Sequence, residues 1–231
     1  MQARVAVITG GFGVVGKTIV AHLAAAGYSV AALGRAPVRT ADRPGGSAAT
    51  LMGGVDLTDP AATQTAMDAI VDRLGALDVL VNVAGGFRWQ LFADADLDVW
   101  DLMYGINLKT ALVTTRAALP ELLKSPSGRI VNVGAAAAAV RSRAGLGAYT
   151  AAKAGIQKLT ESLADELKDH NVCVNAVLPG TVDTPQNRLD MPHADYSRWV
   201  APADLAAVVQ FLASVEARAV NGAALAVAGR C

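Results

Sequence analysis

The sequence predicts an α/β fold in which one parallel, doubly wound sheet of seven strands carries helices on both faces. Three observations lead to this prediction. Short apolar runs alternate with helical patterns along all 231 residues. Most of those runs are apolar at every position, as strands buried on both faces are. A glycine-rich loop joins the first run to the first helix. We therefore expect a single domain over residues 1–231, without a linker or internal repeat.

The strands are predicted, in chain order, at residues 5–9, 29–33, 51–55, 79–83, 129–133, 172–178 and 223–227. Helical patterns occupy residues 14–26, 60–74, 97–123, 149–169 and 202–214. This alternation is typical of right-handed crossovers between parallel strands. Residues 35–50, rich in Pro, Gly, Arg and Ala, are interpreted as a mobile connection.

Several helix boundaries have a local cause. Asp59 caps the second helix before Pro60, and Pro202 opens the last helix in the same way. Gly27 can take the left-handed conformation that ends the first helix. Pro120 lies inside the 97–123 pattern and should kink that helix.

Composition excludes several classes of function. Lys and Arg total 20 and Asp and Glu total 20, so no electrostatic reason favours a nucleic acid partner. No run of eighteen apolar residues predicts a membrane span. The two cysteines, Cys173 and Cys231, form no disulfide framework, and Cys173 is expected to be buried. These features suit a reducing cytoplasm, and no spacing of ligand side chains predicts a metal site.

The glycine-rich loop predicts a dinucleotide site. Glycines permit the sharp turn, the approach of backbone N–H groups to a pyrophosphate and close helix packing. The helix N-terminus that follows favours negative charge. The loop residues expected to bind the cofactor are Gly10, Phe12, Gly13, Val14, Val15 and Gly16.

The end of the second strand indicates which cofactor is preferred. NAD sites usually place a carboxylate there to hold the ribose 2′-hydroxyl. This chain has Arg35 instead, which can pair with a 2′-phosphate. We therefore favour NADP(H) over NAD(H), the alternative being that Arg35 is an exposed loop residue.

Tyr149 and Lys153 form the predicted catalytic pair. Residues four apart share a helix face. A tyrosine pKa of about 10 is too high for efficient proton exchange near neutrality, and a neighbouring ammonium should lower it. The pair suits proton donation to a substrate oxygen or nitrogen as hydride arrives.

With the loop and the pair in place, the chain resembles a short-chain dehydrogenase/reductase from the first strand to the last. The resemblance implies that Asn107 joins Tyr149 and Lys153 in a proton relay. It also implies that Asp56 holds the adenine amine and that Asn82 supports the sheet beside the cofactor. The remaining residues that it implies for cofactor binding are Leu57, Ala84, Gly85, Pro179, Gly180, Val182 and Thr184.

One position departs from the family pattern. Ala136 stands where the family usually has a serine that polarises the substrate carbonyl, and Ser142 is read as a loop serine. Removing such a donor can cost about 2.7–4 kcal/mol of transition-state stabilisation. Within the family, dihydropteridine reductase also lacks this serine, and its substrate is an imine that needs less polarisation.

The loop around Gly10 and the run 183–199 also resemble dihydropteridine reductase. That run predicts a short substrate lid at about residues 184–200. Phe87, Trp89, Ala136 and Trp199 are the candidate substrate residues, with ordinary packing as the alternative for the aromatic ones.

These inferences combine into one predicted function, which is NAD(P)H-dependent hydride transfer to a small carbonyl or imine substrate without a catalytic serine. Two alternatives stay open: dihydropteridine reductase itself, and a catalytically weak cofactor-binding regulatory or scaffold protein. The family resemblance also implies a homotetramer or homodimer built on the 97–123 and 149–169 helices and the last strand.

Overall fold

The fold is a parallel sheet of seven strands with helices on both faces, as predicted. A computed structural model describes residues 3–39 and 49–230. Residues 40–48, which form most of the predicted connection 35–50, and Cys231 lie outside the described residues. The strands are β1 (Val5–Thr9), β2 (Ser29–Leu33), β3 (Thr50–Met52), β4 (Val79–Asn82), β5 (Gly128–Val133), β6 (Val172–Pro179) and β7 (Ala224–Val227).

The strand order places the site. The order is β3-β2-β1-β4-β5-β6-β7, and every neighbouring pair is parallel. The chain winds outward from β1 through β2 to β3, then returns to β4 on the other side of β1. Ligands of such sheets bind at this reversal, beyond the carboxyl ends of the strands. The loops after β1 and β4 therefore border the expected binding crevice.

The helices follow the predicted pattern, except that a π turn divides the 97–123 stretch. Two short helices, at Ala136–Ala139 and Pro185–Asp190, were not predicted. The helices are α1 (Val14–Ala25), α2 (Pro60–Leu74), α3 (Leu97–Tyr104), α4 (Thr110–Leu122), α5 (Ala136–Ala139), α6 (Gly147–Leu167), α7 (Pro185–Asp190) and α8 (Pro202–Ala213). Short 3-10 turns occupy Phe92–Asp94, Lys168–His170 and Tyr196–Arg198.

Both faces of the sheet are covered because side chains alternate along each strand. Ala6 and Ile8 of β1 pack with α1 and α8 on one face. Val7, between them, packs with α2, α4 and α6 on the other. All three residues are fully buried. The two cores explain why the strands are apolar throughout.

Two predicted boundaries are confirmed by their contacts. The Asp59 carboxylate accepts from the N–H groups of Ala61 and Ala62 at 2.8 and 3.3 Å, so it caps α2. Gly27 has a φ of +88° just after α1, which is the left-handed ending that was expected. Pro202 is at the first turn of α8, but the N-cap is Ala201, which supplies no side-chain hydrogen bond.

Other boundaries were wrong. β3 ends at Met52 and not at residue 55, because Gly54 has a φ of +76° and leaves extended geometry. The 97–123 helix is divided by a π turn at Gly105–Lys109 and then runs past Pro120 to Leu122. Cys173 is only partly buried, and its thiol lies 3.5 Å from the Arg218 carbonyl oxygen.

Among the residues of 3–39 and 49–230, no helix is both long enough and apolar enough to cross a membrane.

Candidate active site

The loop after β1 has the geometry of a phosphate-binding turn. Gly10 has a φ of +63°, and a Cβ there would lie 2.9 Å from the backbone of Ala84. A Cβ on Gly16 would overlap the Gly10 carbonyl group. Gly13 begins α1 with no capping side chain and no acidic residue in the first turn. The first N–H groups of α1 therefore suit a pyrophosphate, and the loop fits a dinucleotide.

Thr9 ties this loop to the loop after β4. Its hydroxyl oxygen accepts from the N–H groups of Val83 and Ala84 at 3.0 and 3.1 Å. Sequence reasoning passed over Thr9, because a threonine ending an apolar strand carries no signal of its own. These two hydrogen bonds fix the distance between the loop after β1 and the loop after β4.

The residues that were predicted to contact the adenosine part of the cofactor lie at the ends of β2 and β3. The ring of Phe12 covers Gly34, leaving no room there for a side chain. Arg35 follows and is exposed. The Asp56 carboxylate accepts from the N–H and hydroxyl of Thr58 at 2.9 and 2.8 Å, and these bonds hold its pKa below the usual value. The side chain of Leu57 is buried, so only its backbone can face a ligand.

Lys153, Asn107 and Gly85 meet at the carboxyl edge of the sheet. A Cβ on Gly85 would lie 2.7 Å from Asn107 Oδ1 and 3.4 Å from Lys153 Nζ. Lys153 Nζ donates to the Val133 carbonyl oxygen at 2.8 Å. Tyr149 lies one turn earlier on α6. Gly85, Asn107 and Lys153 are far apart in the chain, and the structure places them side by side. The sequence analysis had assigned all three to one site.

The helix irregularity at Gly105–Lys109 surrounds Asn107. Its side chain is buried, accepts from Gly86 N–H at 3.2 Å and donates to the Met103 carbonyl oxygen at 3.1 Å. A π turn shifts the backbone pairing by one residue and is frequent at functional sites. The Asn107 side chain is therefore held by hydrogen bonds at both its amide oxygen and its amide nitrogen.

Burial governs the titration of Tyr149 and Lys153, the predicted catalytic pair. It raises the pKa of Tyr149 to about 12 and lowers the pKa of Lys153 to about 8. The expectation that Lys153 lowers the tyrosine pKa is therefore wrong in this structure. Burial withdraws both side chains from water, and this disfavours the phenolate of Tyr149 and the ammonium of Lys153.

A buried polar network connects α4 and α6 to the sheet. Asn82 Nδ2 donates to Asn132 Oδ1 at 2.9 Å, and Asn132 Nδ2 donates to Thr160 of α6 at 2.9 Å. Thr114 of α4 donates to Asn82 Oδ1 at 2.7 Å. Asn82 was predicted as a support of the sheet, whereas Asn132 and the threonines were missed because an isolated polar residue in a strand does not reveal its partner.

The position of the customary serine is taken by Ala136, the first residue of α5. Ser142 does not replace the missing hydroxyl. Its Oγ lies 2.8 Å from Thr150 Oγ1, and Thr150 also donates to the Leu146 carbonyl oxygen at 2.9 Å. Ser142 is thus part of a local contact at the start of α6, as the sequence suggested.

The candidate substrate residues fall into two groups. The Phe87 ring meets Tyr149 edge-on, with ring centroids 5.1 Å apart. The Trp89 ring packs over Gly145, whose φ of +79° allows no side chain there. Trp199 instead packs against Tyr196, with centroids 4.7 Å apart. Phe87 is therefore beside the predicted proton donor, and the ring contact of Trp199 is internal to the lid.

The predicted substrate lid follows β6. Gly180 N–H donates to the Val227 carbonyl oxygen at 3.0 Å, directly after Pro179. Val182 forms an isolated parallel bridge with Val200, and this bridge joins the two ends of the predicted lid. Thr184 Oγ1 accepts from Asn187 N–H at 3.2 Å and caps α7. The Thr184 hydroxyl keeps its hydrogen for donation to a ligand.

A model of the short chain dehydrogenase family matches residues 4–193. The chain belongs to the short-chain dehydrogenases. It is 31% identical over 245 residues to a 3-oxoacyl-[acyl-carrier-protein] reductase of Vibrio harveyi, covering 99% of this chain and 97% of the relative. It is 35% identical over 205 residues to a D-beta-hydroxybutyrate dehydrogenase of Rhizobium meliloti, covering 86% and 79% of the two chains.

Solved structures of the family superpose on the whole fold. A short chain dehydrogenase from Burkholderia cenocepacia, in complex with NADP, has 34% identity and a TM-score of 0.88, with 99% of this chain and 97% of that chain covered. Carveol dehydrogenase from Mycobacterium avium, in complex with NAD, has 28% identity and a TM-score of 0.87, with the same coverage.

Family membership makes the protein an oxidoreductase of a fold that binds NAD(P) and acts on small molecules. Within residues 3–39 and 49–230, no group of three or more His, Cys, Asp or Glu side chains could hold a metal ion.

Proposed function

We propose that the protein is an NADP(H)-preferring reductase that transfers hydride to a small carbonyl or imine compound, with Tyr149 as the proton donor and no catalytic serine. The observation that carries this proposal is the convergence of Lys153 Nζ, Asn107 Oδ1 and Gly85 beside the crevice between β1 and β4. The bound nicotinamide would supply the hydride to the substrate carbon. The rest of the chemistry is proton transfer by the residues of this chain.

Burial raises the pKa of Tyr149 to about 12, so its hydroxyl holds the proton before the reaction but is a weak acid, and the transfer depends on stabilisation of the phenolate by Lys153. As the substrate carbon gains hydride, its oxygen or nitrogen gains negative charge and takes the tyrosine proton. The Lys153 ammonium, one helical turn away, then stabilises the phenolate. Asn107 would support the return of a proton through water and Lys153. Phe87 excludes water from one side of the Tyr149 ring.

The test is Tyr149→Phe with Tyr104→Phe as its matched control. Tyr104 ends α3 and is 47% exposed. We expect Tyr149→Phe to lower kcat by about 10²–10⁴-fold across a panel of ketones and imines, since general acid catalysis contributes that much. Equal rates for wild type and Tyr149→Phe would instead support the alternative of a cofactor-binding regulatory or scaffold protein.

The preference for NADP(H) rests on Arg35, which is exposed at the end of β2 where no carboxylate of β2 competes for a 2′-phosphate. The comparison of KM for NADPH and NADH tests it. Arg35→Ala should raise KM for NADPH alone. A lower KM for NADH in the wild type would overturn this preference.

Dihydropteridine reductase activity is a second candidate. Ala136 carries no hydroxyl, and the Ser142 hydroxyl is engaged with Thr150, so a substrate that needs only the tyrosine is favoured. Quinonoid dihydropterin with NADPH is the assay, and turnover no faster than the background reaction would reject this candidate.

We also propose a homodimer or homotetramer built on α3, α4 and α6. Leu97, Leu102 and Tyr104 of α3 expose 80%, 41% and 47% of their surfaces, and a second copy would cover them. Light scattering in solution would give the mass, and a monomer would contradict this assembly.

A further inference from the structure

A pocket of about 300 Å³ lies beside the start of α6, outside the residues assigned above. One wall comes from the segment between residues 88 and 100, which follows β4. The other comes from the segment between residues 143 and 148, which leads into α6. Gln90 N–H donates to the Gly145 carbonyl oxygen at 3.0 Å, so the two walls are joined.

Two arginines give this pocket a positive charge. Arg88 lines one wall and Arg143 the other, and no Asp or Glu lines the pocket. Asp94, Asp96 and Asp98 belong to the same segment as Arg88 but do not line it. Within residues 3–39 and 49–230, neither guanidinium has a hydrogen bond or an ion pair with the protein. Both are thus available to an anion.

The start of α6 adds to this potential. The helix has 21 residues, no capping side chain and no acidic residue in its first turn. Its first two residues, Gly147 and Ala148, line the pocket. The N-terminal end of α6 therefore borders the pocket, and the positive end of the helix dipole adds to the potential of the two arginines.

Apart from Gln90, whose Nε2 donates to the Asp94 carbonyl oxygen, the remaining lining is apolar. Phe92 and Trp100 meet edge-on with centroids 6.3 Å apart, and both line the pocket. The Trp100 ring lies 3.5 Å from the position that a Cβ on Gly147 would take. The pocket therefore offers aromatic surface next to its cationic groups, which suits an organic acid with an apolar body rather than a free inorganic anion.

The lining of the pocket includes chain neighbours of the proposed reaction centre, although Tyr149 and Phe87 do not line the pocket themselves. Ala148 directly precedes Tyr149, and Arg88 directly follows Phe87, whose ring contacts Tyr149. We propose that the pocket binds the carboxylate of the substrate, so that the protein selects carbonyl compounds bearing a carboxylate and an apolar body. This inference rests on the proposed reductase function. Sequence reasoning missed it because the two arginines are far apart in the chain.

The first test measures binding alone. Calorimetric titration of benzoate and of benzamide, its neutral isostere, into the protein saturated with nicotinamide nucleotide should show at least about ten-fold tighter binding of benzoate. Arg88→Gln and Arg143→Gln should each remove most of that preference and leave benzamide binding unchanged. Arg141→Gln is the matched control, because Arg141 is exposed and does not line the pocket.

The second test measures turnover of 4-acetylbenzoate and its methyl ester. We expect KM to be at least about ten-fold lower for the acid, and Arg143→Gln to remove that difference while kcat for the ester stays the same.

The binding test and the turnover test distinguish a failure of the proposed carboxylate pocket from a failure of the proposed reductase function. The proposed carboxylate pocket is refuted if benzoate and benzamide bind equally. It is also refuted if the arginine variants bind benzoate as well as the wild type does, even where ketones are reduced. A benzoate preference that the arginine variants abolish supports the pocket even where no carbonyl compound is turned over, and the proposed function alone then fails.

Discussion

Lys153 makes a strong prediction about stability as a function of pH, because it is 5% exposed and burial lowers its pKa to about 8 from 10.5. At 1.36 kcal/mol per pKa unit, this difference corresponds to about 3 kcal/mol of cost for holding the ammonium in its site. Replacing the residue in Lys153→Met removes the titrating group and keeps most of the side-chain volume.

The direction of the effect follows from proton counting. Below pH 8 both the folded and the unfolded lysine carry the proton, and the folded state has the full cost. Between about pH 8 and 10.5 the folded lysine loses its proton while the unfolded lysine keeps it, so the stability of the wild type rises with pH. Relative to Lys153→Met, we expect a gain of about 2 kcal/mol between pH 7.5 and 10.

Urea unfolding of both proteins at several pH values in this range measures the gain. Subtracting the two curves cancels the other groups, including Tyr149, whose raised pKa affects stability only above pH 10. Lys158→Met is the matched control, because Lys158 is on the same helix and its side chain is 75% exposed. A difference between wild type and Lys153→Met that stays constant within about 0.5 kcal/mol would refute the reasoning.

Three further predictions concern the site. The kcat/KM for reduction should fall above about pH 8 as the Lys153 ammonium deprotonates, and Lys153→Arg should remove that alkaline limb of the pH profile; an unchanged limb would contradict this role. Gly16→Ala should weaken nucleotide binding and lower the free energy of unfolding by about 1–3 kcal/mol, because its Cβ would overlap the loop. Gly13→Ala, whose Cβ has ordinary contacts, is its control for stability, and equal melting temperatures of the two variants would argue against the overlap. Asn132→Ala should cost about 1–3 kcal/mol in urea unfolding, because it removes the acceptor of one buried N–H of Asn82 and the donor to Thr160, and a loss below about 0.5 kcal/mol would indicate that water replaces it.

The parts that were predictable depend on short stretches of chain. The glycine loop, the Asp59 cap and the four-residue spacing of Tyr149 and Lys153 are all local patterns whose geometry follows from backbone sterics and helical periodicity. The seven apolar runs predicted the number of strands, and their predicted burial is confirmed for the inner strands but not for the edge strand β7, which has no buried residue. Strand ends were less certain, and β3 stops early because of the backbone conformation of Gly54.

The chemical state of the site was not predictable in the same way. The expected lowering of the Tyr149 pKa came from the spacing of two residues, whereas the observed direction comes from how much water the whole fold excludes. Likewise, the π turn around Asn107 follows no sequence signal that we identified. Its position is visible only once the contacts of Asn107 with Gly86 and Met103 are known.

The sequence by itself determined the doubly wound sheet, the dinucleotide loop and the candidate catalytic pair, because each of these is encoded by neighbouring residues. Only the tertiary structure decided that Asn132 joins Asn82 to α6, and that Arg88 and Arg143 line one pocket at the start of α6. The physical reason is that hydrogen bonds, burial and electrostatic potential depend on distances in space, and those distances arise from packing between segments that the chain order keeps apart.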